Sequence, residues 1–195
     1  MGMVEPGAEQ PIINLSGEKV ALGPMQRDQL SLYLRWFNDF AYARTTSSVR
    51  PMTAEALAEY YDHDTRDRSQ VHFTIYERVT LKPVGGASLT EINGHTATFA
   101  IGIGEPDYRG RGYGSEATEL VLEYGFKGLG LHNIWLTVYA FNERGIAAYK
   151  RAGFQEIGRR REVLRRFGKL HDQIFMDCLA TEFRQSRIAS LRAES

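Results

Sequence analysis

"IGIGEPDYRGRGYGSEATELVLEYGF", residues 101–126, is the stretch on which the reading of this chain turns. An apolar run comes first. Gly110, Gly112 and Gly114 then alternate with Arg109, Arg111 and Tyr113, and Ala117, Leu120, Val121 and Tyr124 follow at the spacing of one helix face. Strand, glycine turn and helix start, in that order, suit the binding of phosphate. N–H groups left over in a helix's first turn converge on an anion, and the helix dipole favours negative charge there. Glycines let the backbone approach closely and take positive φ, while Arg109 and Arg111 add positive charge. A P-loop would need Gly-Lys-Ser/Thr where Gly114-Ser115-Glu116 stands. A dinucleotide fingerprint would need G-x-G-x-x-G early in a βαβ unit, whereas the spacing here is G-x-G-x-G after a strand that sits in a hairpin. A tight strand-to-helix turn without a ligand is the alternative that the loop alone leaves open.

Working outward, "EKVALGPM" reads as a short strand and "QRDQLSLYLRWFNDFAYART" as one amphipathic helix carrying Leu30, Tyr33, Leu34 and Phe37. "TAEALAEYYDHDTRD" makes a second helix capped by Thr53. "VHFTIYER", "VGGASLTEI" and "ATFAIGIG" are strands, the last two joined by the hairpin signal Asn93-Gly94. Beyond the loop helix come a strand, "NIWLTVYA", and a short helix, "NERGIAAYKRAGF", that starts on an Asn cap and stops at Gly153. Two strands near 155–165 and 171–180 close the chain around a turn at Gly168. Hairpins alternating with helices predict a single α/β domain of the α+β type. Its mixed, mostly antiparallel sheet has about six to seven strands, flanked by about four helices. The expected boundaries are a flexible lead-in over 1–16, the domain over 17–182 and a tail over 183–195.

The totals exclude several classes of function. Lys plus Arg and Asp plus Glu both number 24, so net charge points to neither nucleic acid nor membrane. One cysteine, Cys178, rules out an intrachain disulfide and any multi-cysteine zinc site. The histidines lack metal-ligand spacing, so no metal is expected. No apolar run approaches membrane-spanning length and no signal peptide is evident, which predicts a soluble cytoplasmic protein. The basic "GRRREVLRRFGK" lacks the aromatic interleaving of a single-strand nucleic-acid site, and its alternation reads as a strand arm with arginines outward.

Arg109-x-x-Gly112-x-Gly114, followed by Asn142, Tyr149 and Gly153-Phe154 in "NERGIAAYKRAGF", resembles the GNAT superfamily of acetyl-CoA-dependent N-acetyltransferases. The first string is similar to that family's pyrophosphate signature and the second to its Asn-x-x-Ala-x-x-x-Tyr-x-Lys-x-Gly-Phe segment. The resemblance covers roughly residues 18–182 in the same element order, the extent of one compact domain. "LRWFND", "IGEPDYRGRGYGSEA" and "GKLHDQIFMDCL" look like the RimJ/RimL-like branch that acetylates ribosomal-protein N-termini. Two departures stand out: Gly145 where the family usually has Ala, and Thr98 where this branch often carries a glutamate.

The resemblance implies acetyl-CoA as cofactor, held by Arg109, Gly110, Arg111, Gly112, Tyr113, Gly114 and Ser115 at the loop. Gly102, Ile103 and Gly104 would offer backbone groups to pantetheine, although two glycines in a strand also suit a bend. Asn142 is implied to contact the cofactor, and N-capping alone would also explain it. Tyr149 is implied to be the general acid for the leaving thiolate, against the alternative of a core aromatic. Cys178 reads as apolar filler, in line with direct transfer. The base stays open between Glu91, through water, and solvent.

The implied acceptor is a protein N-terminal α-amine. A small amine, such as a polyamine or an aminoglycoside-like compound, is the alternative. From another class, the chain would be a non-catalytic acyl-CoA sensor. Asp39, Glu59, Asp62 and Asp64 among aromatics on the first helices would suit a cation, and equally a solvated helix face. Dimers are common in the branch, so a homodimer is compatible with this reading.

Overall fold

The computed structural model describes residues 10–43 and 50–184. The elements are β1 (Leu15–Ser16), β2 (Val20–Pro24), α1 (Leu30–Asn38), α2 (Phe40–Ala43), α3 (Ala54–Asp64), β3 (Val71–Glu77), β4 (Pro83–Asn93) and β5 (Thr96–Ile103), then α4 (Tyr113–Glu123), β6 (Asn133–Tyr139), α5 (Glu143–Ala152), β7 (Gln155–Arg166) and β8 (Lys169–Leu179). They form one eight-stranded sheet ordered β1-β2-β3-β4-β5-β6-β8-β7. Every neighbouring pair is antiparallel except β5 and β6.

The helices divide between the two faces. Phe73, Leu89, Phe99, Ile134, Leu136 and Met176 project towards α4 and α5 and form the main core with Leu120 and Val121. On the other face Tyr33, Trp36 and Leu57 of α1 and α3 make a second, smaller core. The Tyr33 hydroxyl anchors that core to the sheet at 2.9 Å from Thr74 Oγ1.

Three expectations change. The predicted first helix breaks at Asp39, whose extended backbone (ψ 113°) ends α1 and whose side chain accepts from Ala41 N at 2.9 Å to start α2. Leu15–Ser16 pairs with β2, so the segment expected as lead-in contributes a strand. With β1 and α2 included, the described residues hold eight strands and five α-helices. The remainder of the lead-in up to residue 9, the end of the first predicted helix at 44–49, and all but two residues of the expected tail lie outside the described residues.

Elsewhere local chemistry matches. Thr53 caps α3 by accepting from Ala56 N at 3.2 Å, and Gly94 (φ 59°) turns the β4–β5 hairpin. Arginines of the β7–β8 arm lie outward, with Arg159 paired to Glu156 and Asp172. Among the described residues no helix is long and apolar enough to cross a membrane.

Candidate active site

Register shows where the sheet opens. β5 and β6 pair only at Thr96–Asn133, Ala97–Ile134 and Thr98–Trp135. Beyond Thr98 the strands part, because β6 continues along β8 through Tyr139 while β5 continues along β4 through Ile103. A cleft of about 750 Å³ opens at this split, lined by Ile101, Gly102 and Ile103 of β5, the glycine loop, the start of α5, Tyr42 and Tyr149. An open strand edge facing such a cleft offers backbone groups to an extended ligand.

The loop has the geometry of an anion cradle. Gly110 and Gly112 sit at φ 77° and 92°, conformations that other residues adopt only with strain. Gly112 is the N-cap of α4 and, being glycine, supplies no side-chain acceptor, so the first-turn N–H groups of Tyr113, Gly114 and Ser115 are left to the cleft. A Cβ at Gly114 would come no nearer than 3.7 Å to any neighbour, so the fold itself has room for a Cβ there. Cations surround the loop. Lys19 Nζ donates to Arg111 O at 3.3 Å and Arg151 Nη2 to Ser115 Oγ at 3.4 Å. The Arg144 guanidinium reaches to within 3.1 Å of a Cβ built on Gly110. The residues therefore fit a diphosphate-bearing group of the size of CoA.

Several expected residues do something different from what their spacing suggests. Arg109 directs Nε to Ile103 O at 2.9 Å and Nη2 to Gly104 O at 2.5 Å and to Asp39 Oδ2 at 3.1 Å, so its donors hold the end of β5. Arg111 is exposed and donates to Asp107 O at 3.2 Å. Gly102 and Gly104 leave room for the protein's own aromatics. A Cβ on them would stand 2.0 Å from the Tyr42 hydroxyl and 2.1 Å from Trp36 Cδ2, respectively. Asn142 accepts from Gly145 N at 3.1 Å as the α5 cap, which occupies its oxygen and leaves its amide N–H groups on the cleft wall. A Cβ at position 145 would lie 2.7 Å from the Asn142 amide nitrogen, so glycine in place of the family's alanine gives that cap its space.

Tyr149 is half-buried. Phe99 (6.3 Å) and Phe154 (5.9 Å) meet its ring edge-on, and Gly153 (φ 109°) terminates α5 so that Phe154 folds back against it. Burial, with a smaller push from nearby Tyr42, raises its phenol to about 12. Tyr42 is likewise raised to about 12 by burial, partly offset by the Arg109 charge. The cleft therefore carries a pair of phenols that keep their protons at neutral pH. Tyr42 was not legible in the sequence as a site residue, because it reaches the cleft only through the break at Asp39.

The acidic residues behave unequally. Asp39 is engaged by Arg109, Asp62 by Arg27, and buried Asp64 by His63 at 3.1 Å, with His72 3.4 Å away. Glu59 is exposed. Thr98, at the apex of the split, donates its hydroxyl to Glu91 Oε2 at 2.6 Å, and Glu91 reaches it from a bulge at φ 53°. Trp135, in register with Thr98, stacks on Phe175 at 6.3 Å and 11°. Among the described residues no group of three His, Cys, Asp or Glu side chains is arranged to hold a metal.

Cys178 is fully buried, and burial together with Glu182 and Asp177 pushes its thiol up to about 12. Such a thiol is inert as a nucleophile. Cys178→Ala is expected to keep full turnover, with stability lower by about 1 kcal/mol for the lost packing. A loss of turnover in a variant that stays folded would point to an acyl-enzyme.

A split sheet, a left-handed glycine loop, a helix N-terminus open to the cleft and a half-buried tyrosine on the next helix thus meet around one cleft. Residues 19–155 match the acetyltransferase (GNAT) domain family, and the chain belongs to that family. It is an N-acetyltransferase that uses acetyl-CoA. It is 30% identical over 145 residues to the spermidine N(1)-acetyltransferase of Escherichia coli K12, covering 73% of this chain and 76% of that protein. Its structure matches that of the Vibrio cholerae spermidine N-acetyltransferase in complex with CoA and spermine. The TM-score is 0.76 at 25% identity, over 84% of this chain and 97% of the other. It is also 26% identical over 157 residues to human alpha/beta-tubulin-N-acetyltransferase 9, covering 73% of this chain and 75% of that protein.

Proposed function

We propose that the chain transfers the acetyl group of acetyl-CoA to a primary amine of a polyamine. The 30% identity with the E. coli spermidine acetyltransferase, across about three quarters of both chains, carries this reading and favours it over the protein N-terminus suggested by the RimJ/RimL-like strings. Local chemistry supports it. On the face opposite α4 and α5, the stacked Trp135 and Phe175 and the Glu91–Thr98 pair offer rings and a carboxylate at the split, and such groups suit an alkylammonium chain.

When bound, acetyl-CoA supplies the activated acyl group. The N–H groups of Tyr113, Gly114 and Ser115 would hold its diphosphate, helped by Lys19, Arg144 and Arg151. Gly102 and Ile103 would line the path of the pantetheine arm, with Asn142 offering its amide on the same wall, while Gly104, expected there too, is buried under Trp36 and faces away from the cleft. Tyr149, protonated and on the cleft wall, would supply the proton that the leaving thiolate of CoA needs. Glu91, held beside the split by Thr98, would take the amine's proton through water.

Thiol release from acetyl-CoA, measured across spermidine, spermine, aminoglycosides and short peptides with free N-termini, tests the acceptor. Spermidine is expected to exceed every peptide in kcat/KM by about tenfold or more, a difference of about 1.4 kcal/mol in transition-state binding. The human tubulin acetyltransferase likeness supports the second reading, a protein amine, and preference for a peptide would establish that one instead. CoA binding without turnover on any amine would favour the sensor.

A further inference from the structure

Arg109 opens the loop string, yet it donates hydrogen bonds to the end of β5 and to the joint between α1 and α2. Beyond Thr98, β5 has lost β6 as a partner, so its last residues need another support. Arg109 supplies part of it by donating to the carbonyls of Ile103 and Gly104. The guanidinium is itself fixed by Asp39, whose carboxylate divides its work. One oxygen accepts from Ala41 N at 2.9 Å and starts α2, while the other accepts from Arg109 at 3.1 Å.

The residues around Asp39 complete the brace. Trp36, ahead of the joint, packs over Gly104, and Tyr42, behind it, packs over Gly102. Trp36 Nε1 also donates to Glu105 at 2.9 Å. The Asp39–Arg109 pair is partly screened from solvent, with side-chain exposures of 34% and 21%. A charge-assisted contact in that setting is stronger and more directional than a surface ion pair. Burial opposes ionisation of Asp39, but the Arg109 and Ala41 hydrogen bonds outweigh it and hold the carboxyl below its ordinary range.

We infer that Asp39 and Arg109 form a positioning pair that locks the α1–α2 joint to the cleft end of β5, so that the α2 side of the cleft and the open strand edge of β5 move as one body. Arg109 acts here on strand geometry, and the phosphate cradle is left to the loop's backbone and to Lys19, Arg144 and Arg151. The inference rests on amine acetylation at this cleft, which Ala41 and Tyr42 of α2 line. Small misplacements of reacting groups cost far more in turnover than in binding, so the pair is expected to show in kcat.

The test uses the full chain as wild type, Asp39→Asn, Arg109→Gln and the double variant. Asparagine retains an oxygen for Ala41 N, which separates the α2 cap from the ion pair. Each single variant is expected to lower kcat with spermidine by about tenfold or more, the double by no more than the worse single, and the Kd for CoA without amine to change by less than about threefold. Hydrogen exchange at residues 101–105 should speed up in both single variants. Arg109→Lys keeps the charge but lacks the fork that spans two carbonyls and Asp39, and it replaces Arg109→Gln if the glutamine variant does not fold.

A tenfold rise in CoA Kd for the Arg109 variant alone would make Arg109 a phosphate ligand and overturn the inference. Additive losses, or wild-type kcat in both singles, would overturn it too. If the wild type turns over no amine, the acceptor reading fails by itself. Hydrogen exchange then decides the brace: faster exchange in both singles upholds it, and unchanged exchange refutes it.

Discussion

Tyr149→Phe is expected to lower turnover by about a hundredfold to ten-thousandfold, the range typical of losing a positioned proton donor, with CoA affinity unchanged. The hydroxyl is the only atom removed, and the ring contacts with Phe99 and Phe154 remain, so the fold and cleft should persist. The phenol, raised to about 12, is fully protonated wherever the enzyme would be assayed. A thiol has a pKa of about 8.5, so a free thiolate would draw little from such a phenol in solution. The transfer becomes favourable only as charge develops on sulfur inside the desolvated cleft, which places the effect in kcat. The sign for pH follows. An acid form is lost as pH rises through its pKa, so Tyr149 should impose no falling limb on the rate below about pH 10. Any rising limb reports the amine and its base, and it should survive in the phenylalanine variant. Steady-state kinetics with a CoA titration by calorimetry would check all of this, and a variant of normal kcat would reduce Tyr149 to a core aromatic.

Gly112→Val is expected to weaken CoA binding by at least about a hundredfold, the share of affinity that a cradle of several charge-assisted N–H contacts supplies. Gly112 sits at φ 92°, where a β-branched residue is strained, and its Cβ would come within 3.3 Å of Lys19 Nζ. Relief of that strain must turn the peptide units that aim the first N–H groups of α4 into the cleft. Stability should fall as well, by about 1–3 kcal/mol for the backbone strain. Gly114→Val separates the two effects, since Gly114 has an ordinary helical φ and a Cβ there meets nothing closer than 3.7 Å in the protein. Its melting temperature should stay near that of the wild type while CoA binding weakens, because its added atoms point into the ligand's space. If both variants bind CoA as the wild type does, the loop is a turn and nothing more.

Much of this architecture was legible beforehand because it rests on local chemistry. Thr53 and Asn142 announce helix starts by the hydrogen bonds they make. Asn93-Gly94 announces a hairpin by the φ that glycine allows, and Gly153 ends α5 for the same reason. The predicted single first helix continues across Asp39 on its apolar spacing, whereas the Asp39 cap on Ala41 N and its contact with Arg109, 70 residues away, break it there. The roles of Gly102 and Gly104 were hidden likewise. A glycine in a strand signals that something comes close, and the sequence does not say whether that is a ligand or Trp36 and Tyr42.

By itself the sequence determined most of the element types and their order, the left-handed glycine loop at the start of α4 and the tyrosine on the helix that follows, because caps, periodicity and left-handed glycines act over a few neighbouring residues. Tertiary structure alone decided that β5 and β6 part after Thr98, that Arg109 serves β5, and that Tyr42 joins Tyr149 at the cleft. Those outcomes depend on which distant groups compete for the same hydrogen bonds and the same space, and that competition exists only once the chain has folded.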